Sequence, residues 1–176
     1  MTSRPSLSPA EAAEVLRRAR PIPTHRGASP VPLSSMSGAD FDGHVMSIEP
    51  AALSARMLLL FLSADCTGCE DLFEAAQAPA SLGIEGDDSL MIVLRERDLA
   101  DPSIRHRCGT AMTMVSPSTW TAYRVSGPPF FVLIDPGRST VATEGVAWGA
   151  HSVAEALREA QNGRASIEVP RLDPTT

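Results

Sequence analysis

Two cysteines, Cys66 and Cys69, stand in the stretch "LLLFLSADCTGCEDLF" from Leu58 to Phe73. A C-x-x-C pair has three readings. It can form and break a disulfide, supply half of a structural metal site, or consist of small buried residues. In the redox reading the attacking species is the thiolate, and a free cysteine is mostly protonated near neutral pH. A helix beginning at Thr67 places Cys66 at its cap. There, unpaired N–H groups and the positive end of the helix dipole favour negative charge. Cys69 then lies one turn inside, close enough to resolve a mixed disulfide formed at Cys66. Gly68 leaves space beside the sulfurs, and Thr67 is small. The metal reading needs a second ligand pair, and His106 with Cys108 is the one on offer. "HRC" is neither another C-x-x-C nor a standard histidine pair.

The neighbours of the pair are acidic. Asp65, Glu70 and Asp71 put three carboxylates beside it, and the chain has no lysine to answer them. Carboxylates disfavour the thiolate, which favours the disulfide and makes the dithiol a better reductant. Each pKa unit is worth about 1.4 kcal/mol, or roughly 30 mV for a two-electron couple. A reductant is therefore expected rather than a strong oxidant.

The elements that must hold these residues follow from the apolar pattern. "RMLLLFLSA" is a continuous apolar run of strand length, as a strand covered on both faces requires. "CTGCEDLFEAAQA" has helical spacing, with Leu72, Phe73 and Ala76 on one face. "SLMIVLRE" is a second buried strand and "MTMVS" a short one. The polar stretch from Asp98 to Ala111 suggests a short helix in a loop. "SPSTWTAYRV" predicts a helix capped by Ser116 with Pro117 at its first position. "PFFVLIDPGRSTVATEGVA" predicts two strands around an Asp-Pro-Gly turn. "HSVAEALREAQNG" predicts an amphipathic helix ended by Gly163. Before these, Asp42-Gly43 marks a hairpin turn. Strands and helices in this order make a mixed α/β pattern, whose reaction sites gather at the carboxyl ends of strands.

The chain divides into an arm over residues 1–37, a domain over 38–163 and a tail over 164–176. In the arm, Ser8, Pro9 and Glu11 predict a short capped helix, and the Pro-rich stretch after it reads as an extended linker. The 176 residues suit one domain of ordinary size, and 43% apolar residues suffice for a packed core. A net charge of −6 argues against a nucleic-acid binder. Three cysteines are too few for a disulfide-stapled scaffold. The start of the chain lacks an apolar signal segment, and the run around Met57 to Leu62 is too short to span a bilayer. As written, the chain is expected to be soluble and cytoplasmic. An anchor or signal outside this sequence would make it extracytoplasmic.

The order of strand, "CTGC", helix and then "VSGPPFFVLID" (Val125 to Asp135) resembles the thioredoxin superfamily, over about residues 38–163. Within it the similarity is to the TlpA-like branch of bacterial thiol-disulfide oxidoreductases, which adds an N-terminal hairpin and an insertion here matched by Asp98 to Tyr123. The resemblance implies a thioredoxin-like α/β fold with a central mixed sheet flanked by helices. It makes Cys66 the nucleophile and Cys69 the resolving cysteine. Pro129 matches the family's cis-proline, so a cis Pro128–Pro129 bond lying against the cysteine pair is expected. Pro128, Pro129, Thr67 and Gly68 then face substrate, while Asp65 and Glu70 modulate the thiol. No cofactor is implied. The partners implied are proteins bearing disulfides or thiols, and an electron donor or acceptor. Two positions depart from thioredoxin itself: Asp65 replaces a tryptophan, and Leu60 replaces a buried acid that helps proton transfer. The peroxiredoxin branch fits less well, since Leu59 stands where its motif has proline. The alternative reading is a thioredoxin-fold binding or scaffold module whose pair is redox-silent or holds a metal.

The remaining candidates have structural readings. Cys108 is expected as a free or buried thiol. His25, His44, His106 and His151 are scattered and read as surface or capping residues. Trp120, Tyr123 and Trp148 read as packing, with Trp120 and Tyr123 alternatively lining the rim of the cysteine site.

Overall fold

The computed structural model describes residues 31–165. The predicted helix around Pro9 and residues 166–176 of the tail lie outside the described residues. Seven strands form one mixed sheet. They are β1 (Met36–Ala39), β2 (Val45–Ile48), β3 (Met57–Phe61), β4 (Ser89–Leu94), β5 (Met112–Val115), β6 (Phe130–Ile134) and β7 (Thr143–Val146). Their order across the sheet is β2-β1-β5-β4-β3-β6-β7. The strands β3, β4 and β5 run parallel, while β6 is antiparallel to β3 and β7 to β6. The hairpin β1–β2 joins the far side through β1 and β5. Among the described residues four α-helices accompany the sheet: α1 (Glu70–Ala76), α2 (Ile104–Cys108), α3 (Pro117–Ala122) and α4 (Ala150–Ala165).

The sheet has a core on each face, which is why β3 is apolar throughout. Leu58, Leu60 and Leu62 join one cluster with Leu72 and Phe73 of α1 and Val153 and Leu157 of α4. Leu59 and Phe61 join the other, with Trp120 of α3 and Tyr123. Successive side chains of a strand point to opposite faces, so an apolar run is the pattern that serves both. Each of these leucines is fully buried, and burial of one stabilises the fold by about 1.5–3 kcal/mol. The α3 start is as predicted: the Ser116 hydroxyl accepts from the Thr119 N–H at 3.2 Å, with Pro117 at the first helical position.

Besides the onset of α1 at Glu70, two elements differ from the sequence reading. Helix α4 runs through Gly163 to Ala165; a glycine inside a helix costs only about 1 kcal/mol. The end of the Pro-rich arm is extended but docked. Val31 is buried, the Leu33 N–H donates to the Ser139 carbonyl at 3.1 Å, and the Tyr123 hydroxyl donates to the Ser34 carbonyl at 2.9 Å.

Candidate active site

The cysteine loop follows the carboxyl end of β3. Cys66 and Cys69 form a disulfide with an S–S distance of 2.14 Å. The sulfur-bearing residues are unequal: Cys66 is partly exposed, whereas Cys69 is fully buried. The Cys69 N–H donates to the Cys66 carbonyl at 3.1 Å, closing a tight turn over Thr67 and Gly68, both exposed. Helix α1 then starts at Glu70 with Cys69 as its cap residue. The expected helix start at Thr67 is therefore corrected by three residues. Glycine and threonine are poor helix formers, and the turn between the cysteines takes up the chain that the helix was expected to use. Cys66 precedes the helix in sequence, with its sulfur bonded to that of the cap residue.

Opposite the turn sits the start of β6. The Pro128–Pro129 peptide is cis. A Cβ placed on Gly68 would lie 3.7 Å from Pro129 Cγ, so Gly68 and the proline ring face each other. The Pro129 carbonyl accepts from the Ala147 N–H at 3.1 Å, which extends the β6–β7 pairing to the edge of the site. The next residue, Trp148, is 63% exposed. Its expected packing role is thus corrected. Trp120 and Tyr123 are buried instead, with Trp120 edge-on to Phe61 at 5.1 Å between ring centroids and under the Arg95 guanidinium at 3.8 Å.

Two of the three acidic neighbours, Asp65 and Glu70, are answered by arginine. Asp65 accepts from the Ser63 hydroxyl at 2.5 Å and lies 3.8 Å from Arg97. The Ser63 bond first and the Arg97 charge second hold its carboxyl below the usual range. Glu70 accepts from Arg107 at 2.7 Å. Asp71 accepts from the Ala150 N–H at 2.8 Å, at the start of α4. The absence of lysine does not leave Asp65 and Glu70 without countercharge, and the acidic argument for a reductant loses part of its force.

Two residues that sequence reasoning did not single out hold the loop from below. Asp98 is buried and accepts from the Ala64 N–H at 3.0 Å and the Arg95 N–H at 2.7 Å; it also lies 2.6 Å from the Ser63 hydroxyl, whose single proton it shares with Asp65. Arg107 donates to the Ala64 carbonyl at 2.9 Å. Beside them a cleft of about 430 Å³ is lined by Ala64, Asp65, Arg97, Asp98, Ala100 and Asp101. Cys108 is a buried free thiol, and burial pushes its pKa up to about 11. Among the described residues, the group of possible metal ligands brought within 4.8 Å of one another is Asp40, Asp42 and His44 on the β1–β2 turn. His106 and Cys108 do not join the cysteine pair in such a group.

The arrangement of strands and helices has counterparts among solved structures. The thioredoxin domain of a thiol-disulfide oxidoreductase from Bacteroides vulgatus superposes with a TM-score of 0.57 at 15% identity, covering 76% of this chain and 96% of that one. The chain has the thioredoxin fold. A thioredoxin-family thiol:disulfide interchange protein from Chlorobium tepidum TLS gives a TM-score of 0.57 at 17% identity, with 77% and 99% covered. A secreted Mycobacterium tuberculosis disulfide oxidoreductase homologous to E. coli DsbE gives 0.53 at 15% identity, with 70% and 94% covered. No family model and no curated protein sequence matches the chain. Among the described residues of this thioredoxin-fold chain, no helix is long and apolar enough to cross a membrane.

Proposed function

We propose that this thioredoxin-fold chain is a thiol-disulfide oxidoreductase that exchanges the Cys66–Cys69 disulfide with protein substrates. The observation that carries the reading is the asymmetry of the pair: Cys66 is partly exposed, Cys69 is fully buried, and the loop between them faces Pro129. An accessible thiol can meet a substrate sulfur, and a shielded one can react only with the mixed disulfide so formed.

In the reducing direction the Cys66 thiolate attacks one sulfur of a substrate disulfide. The other substrate sulfur leaves as a thiolate and takes a proton from water. The Cys69 thiolate then attacks Cys66 Sγ, the second substrate sulfur leaves, and the Cys66–Cys69 disulfide is restored. Two electrons pass from the protein dithiol to the substrate. A dithiol donor must supply them again. The exposed Thr67 and Gly68, the prolines Pro128 and Pro129, and Trp148 form the surface a substrate would meet. Pro128 and Pro129 have no N–H to spend on a neighbouring strand, and an extended substrate would pair with the carbonyls and N–H groups beside them.

The direction rests on the helix start. Because α1 is only 7 residues long and carries Glu70 and Asp71 in its first turn, its start lends the Cys66 thiolate little net positive field, and a poorly stabilised thiolate favours the disulfide and thus a reducing couple. The reading is tested by reduction of a protein disulfide in a turbidity assay. Cys66→Ser should abolish it, Cys108→Ser should not, and Cys69→Ser should trap a substrate as a mixed disulfide. Full activity in Cys66→Ser would remove the nucleophile assignment. A potential as high as about −120 mV, that of a strong oxidant, would reverse the direction.

A further inference from the structure

One side chain bridges the two ends of the cysteine loop. Arg107, on α2, donates through Nη1 to the carbonyl of Ala64 at 2.9 Å and through Nη2 to Glu70 Oε2 at 2.7 Å. Ala64 lies two residues before Cys66, and Glu70 directly follows Cys69. The guanidinium also lies 4.4 Å from the centre of the Phe73 ring, on the next turn of α1, and 3.8 Å from Asp101 Oδ2. Its side chain is only 15% exposed. A guanidinium fork held between a carbonyl, a carboxylate and a ring face has little freedom left.

We propose that Arg107 is a positioning residue for the dithiol: it clamps the Cys66–Cys69 loop shut when the disulfide is open. The clamp spans residues 64 and 70, and the disulfide spans 66 and 69. The two closures are nested, one covalent and one hydrogen-bonded. Opening the S–S bond releases the inner closure and leaves the outer one. The clamp then keeps the Cys69 sulfur near Cys66 and raises the effective concentration of one thiol for the other. That concentration governs two quantities. It sets the equilibrium between dithiol and disulfide, and it sets the rate at which Cys69 resolves a mixed disulfide on Cys66. Loss of the clamp should weaken the disulfide and lengthen the life of the mixed disulfide. The first quantity is independent of the proposed function, because it concerns only the Cys66–Cys69 pair; the second rests on it.

The test is an equilibrium titration of the full chain against glutathione and its disulfide, with the oxidised fraction read by thiol alkylation. Arg107→Gln removes the fork and should lower the equilibrium constant for disulfide formation about tenfold, the worth of one charge-assisted hydrogen bond. That is an upward shift of roughly 30 mV. Glu70→Gln acts on an exposed partner and leaves Arg107 in place, so it serves if Arg107→Gln does not fold. It should move the constant about threefold in the same direction. Arg107→Lys keeps the charge without the fork and should recover only part of the loss. The titration is repeated at pH 5, where free thiols are protonated; the shift should persist, since it comes from loop closure. Constants within twofold of the parent in Arg107→Gln, or in Glu70→Gln unchanged where Arg107→Gln is unfolded, would overturn the proposal. So would a shift that vanishes at pH 5, which would make Arg107 a charge effect alone. If the parent chain shows no exchange with proteins but the glutathione shift is present, the function fails and the clamp stands.

Discussion

Asp98→Ala should destabilise the protein more than any other single polar change at the site. The carboxylate is within reach of three donors: the N–H groups of Ala64 and Arg95, and the Ser63 hydroxyl, whose one proton it shares with Asp65. Alanine leaves them without it. The Ser63 hydroxyl has a second acceptor in Asp65, so its loss is repaired locally. The two part-buried backbone N–H groups have no such substitute, and orphaning a buried donor costs about 1–3 kcal/mol. The cleft at Asp98 admits water, which recovers part of that cost. The net expectation is about 2–4 kcal/mol, or roughly 7–14 °C in Tm for a domain of this size. Asp98→Asn keeps an oxygen for Ser63 and Ala64 but turns its amide toward the Arg95 N–H. It should lose about one bond, on the order of 1–2 kcal/mol. Urea unfolding of the oxidised protein measures both, and amide exchange at Ala64 and Arg95 locates the loss. A cost below about 1 kcal/mol for alanine, or equal costs for the two variants, would refute the assignment of Asp98 as the anchor of these amides.

Three further outcomes follow from the geometry. Trp148→Ala should raise KM for a protein disulfide about three- to tenfold, as loss of one aromatic contact implies. It should leave kcat and the reduction of a small disulfide unchanged; equal effects on both substrates would remove Trp148 from the docking surface. Cys108 has a folded pKa of about 11 against an ordinary 9.0. Its burial therefore contributes full stability below pH 9, and that contribution is lost as pH rises through 11. Urea unfolding should show a loss of up to about 2–3 kcal/mol across this window, flattened in Cys108→Ala; an unchanged slope in that variant would mean another group is responsible. Asp65→Asn should lower the Cys66 pKa by a few tenths, since an exposed, arginine-paired charge is well screened. Alkylation rate against pH reads it, and a raised pKa would show that the unpaired Arg97 has moved away from the thiol.

The sheet was legible in the sequence because its strands satisfy simple demands. "MLLLF" and "LMIVL" are apolar on both faces because both faces carry a core, and Ser116-Pro117 announces a helix through a cap that is local. The relation of "CTGC" to "GPPFFVLID" was legible as a resemblance, and the facing of Gly68 and Pro129 agrees with it. The supports of the loop were not legible. Asp98 reaches Ala64 from 34 residues away, Arg107 reaches it from 43, and both sit in a polar stretch without periodicity. The countercharges were missed for the same reason: no local pattern says which arginine will meet which carboxylate. The onset of α1 was missed because apolar spacing marks the face of a helix but not its first residue.

A redox pair must open without letting its loop fall apart, and the fold meets this requirement by spreading the hold over several elements. The loop between the cysteines is short, with a sequence separation of 3. Chain entropy then makes the disulfide worth only about 2 kcal/mol to the fold. That is no larger than the loss expected for removing the Asp98 carboxylate. The other contacts come from different directions: Asp98 and Arg107 from the segment after β4, Pro129 from the start of β6, and Asp71 tying α1 to the start of α4. None of them passes through sulfur. Breaking the S–S bond therefore removes one modest contribution among several and leaves the carboxyl end of β3 fastened, so the change of redox state stays local to the loop that carries it.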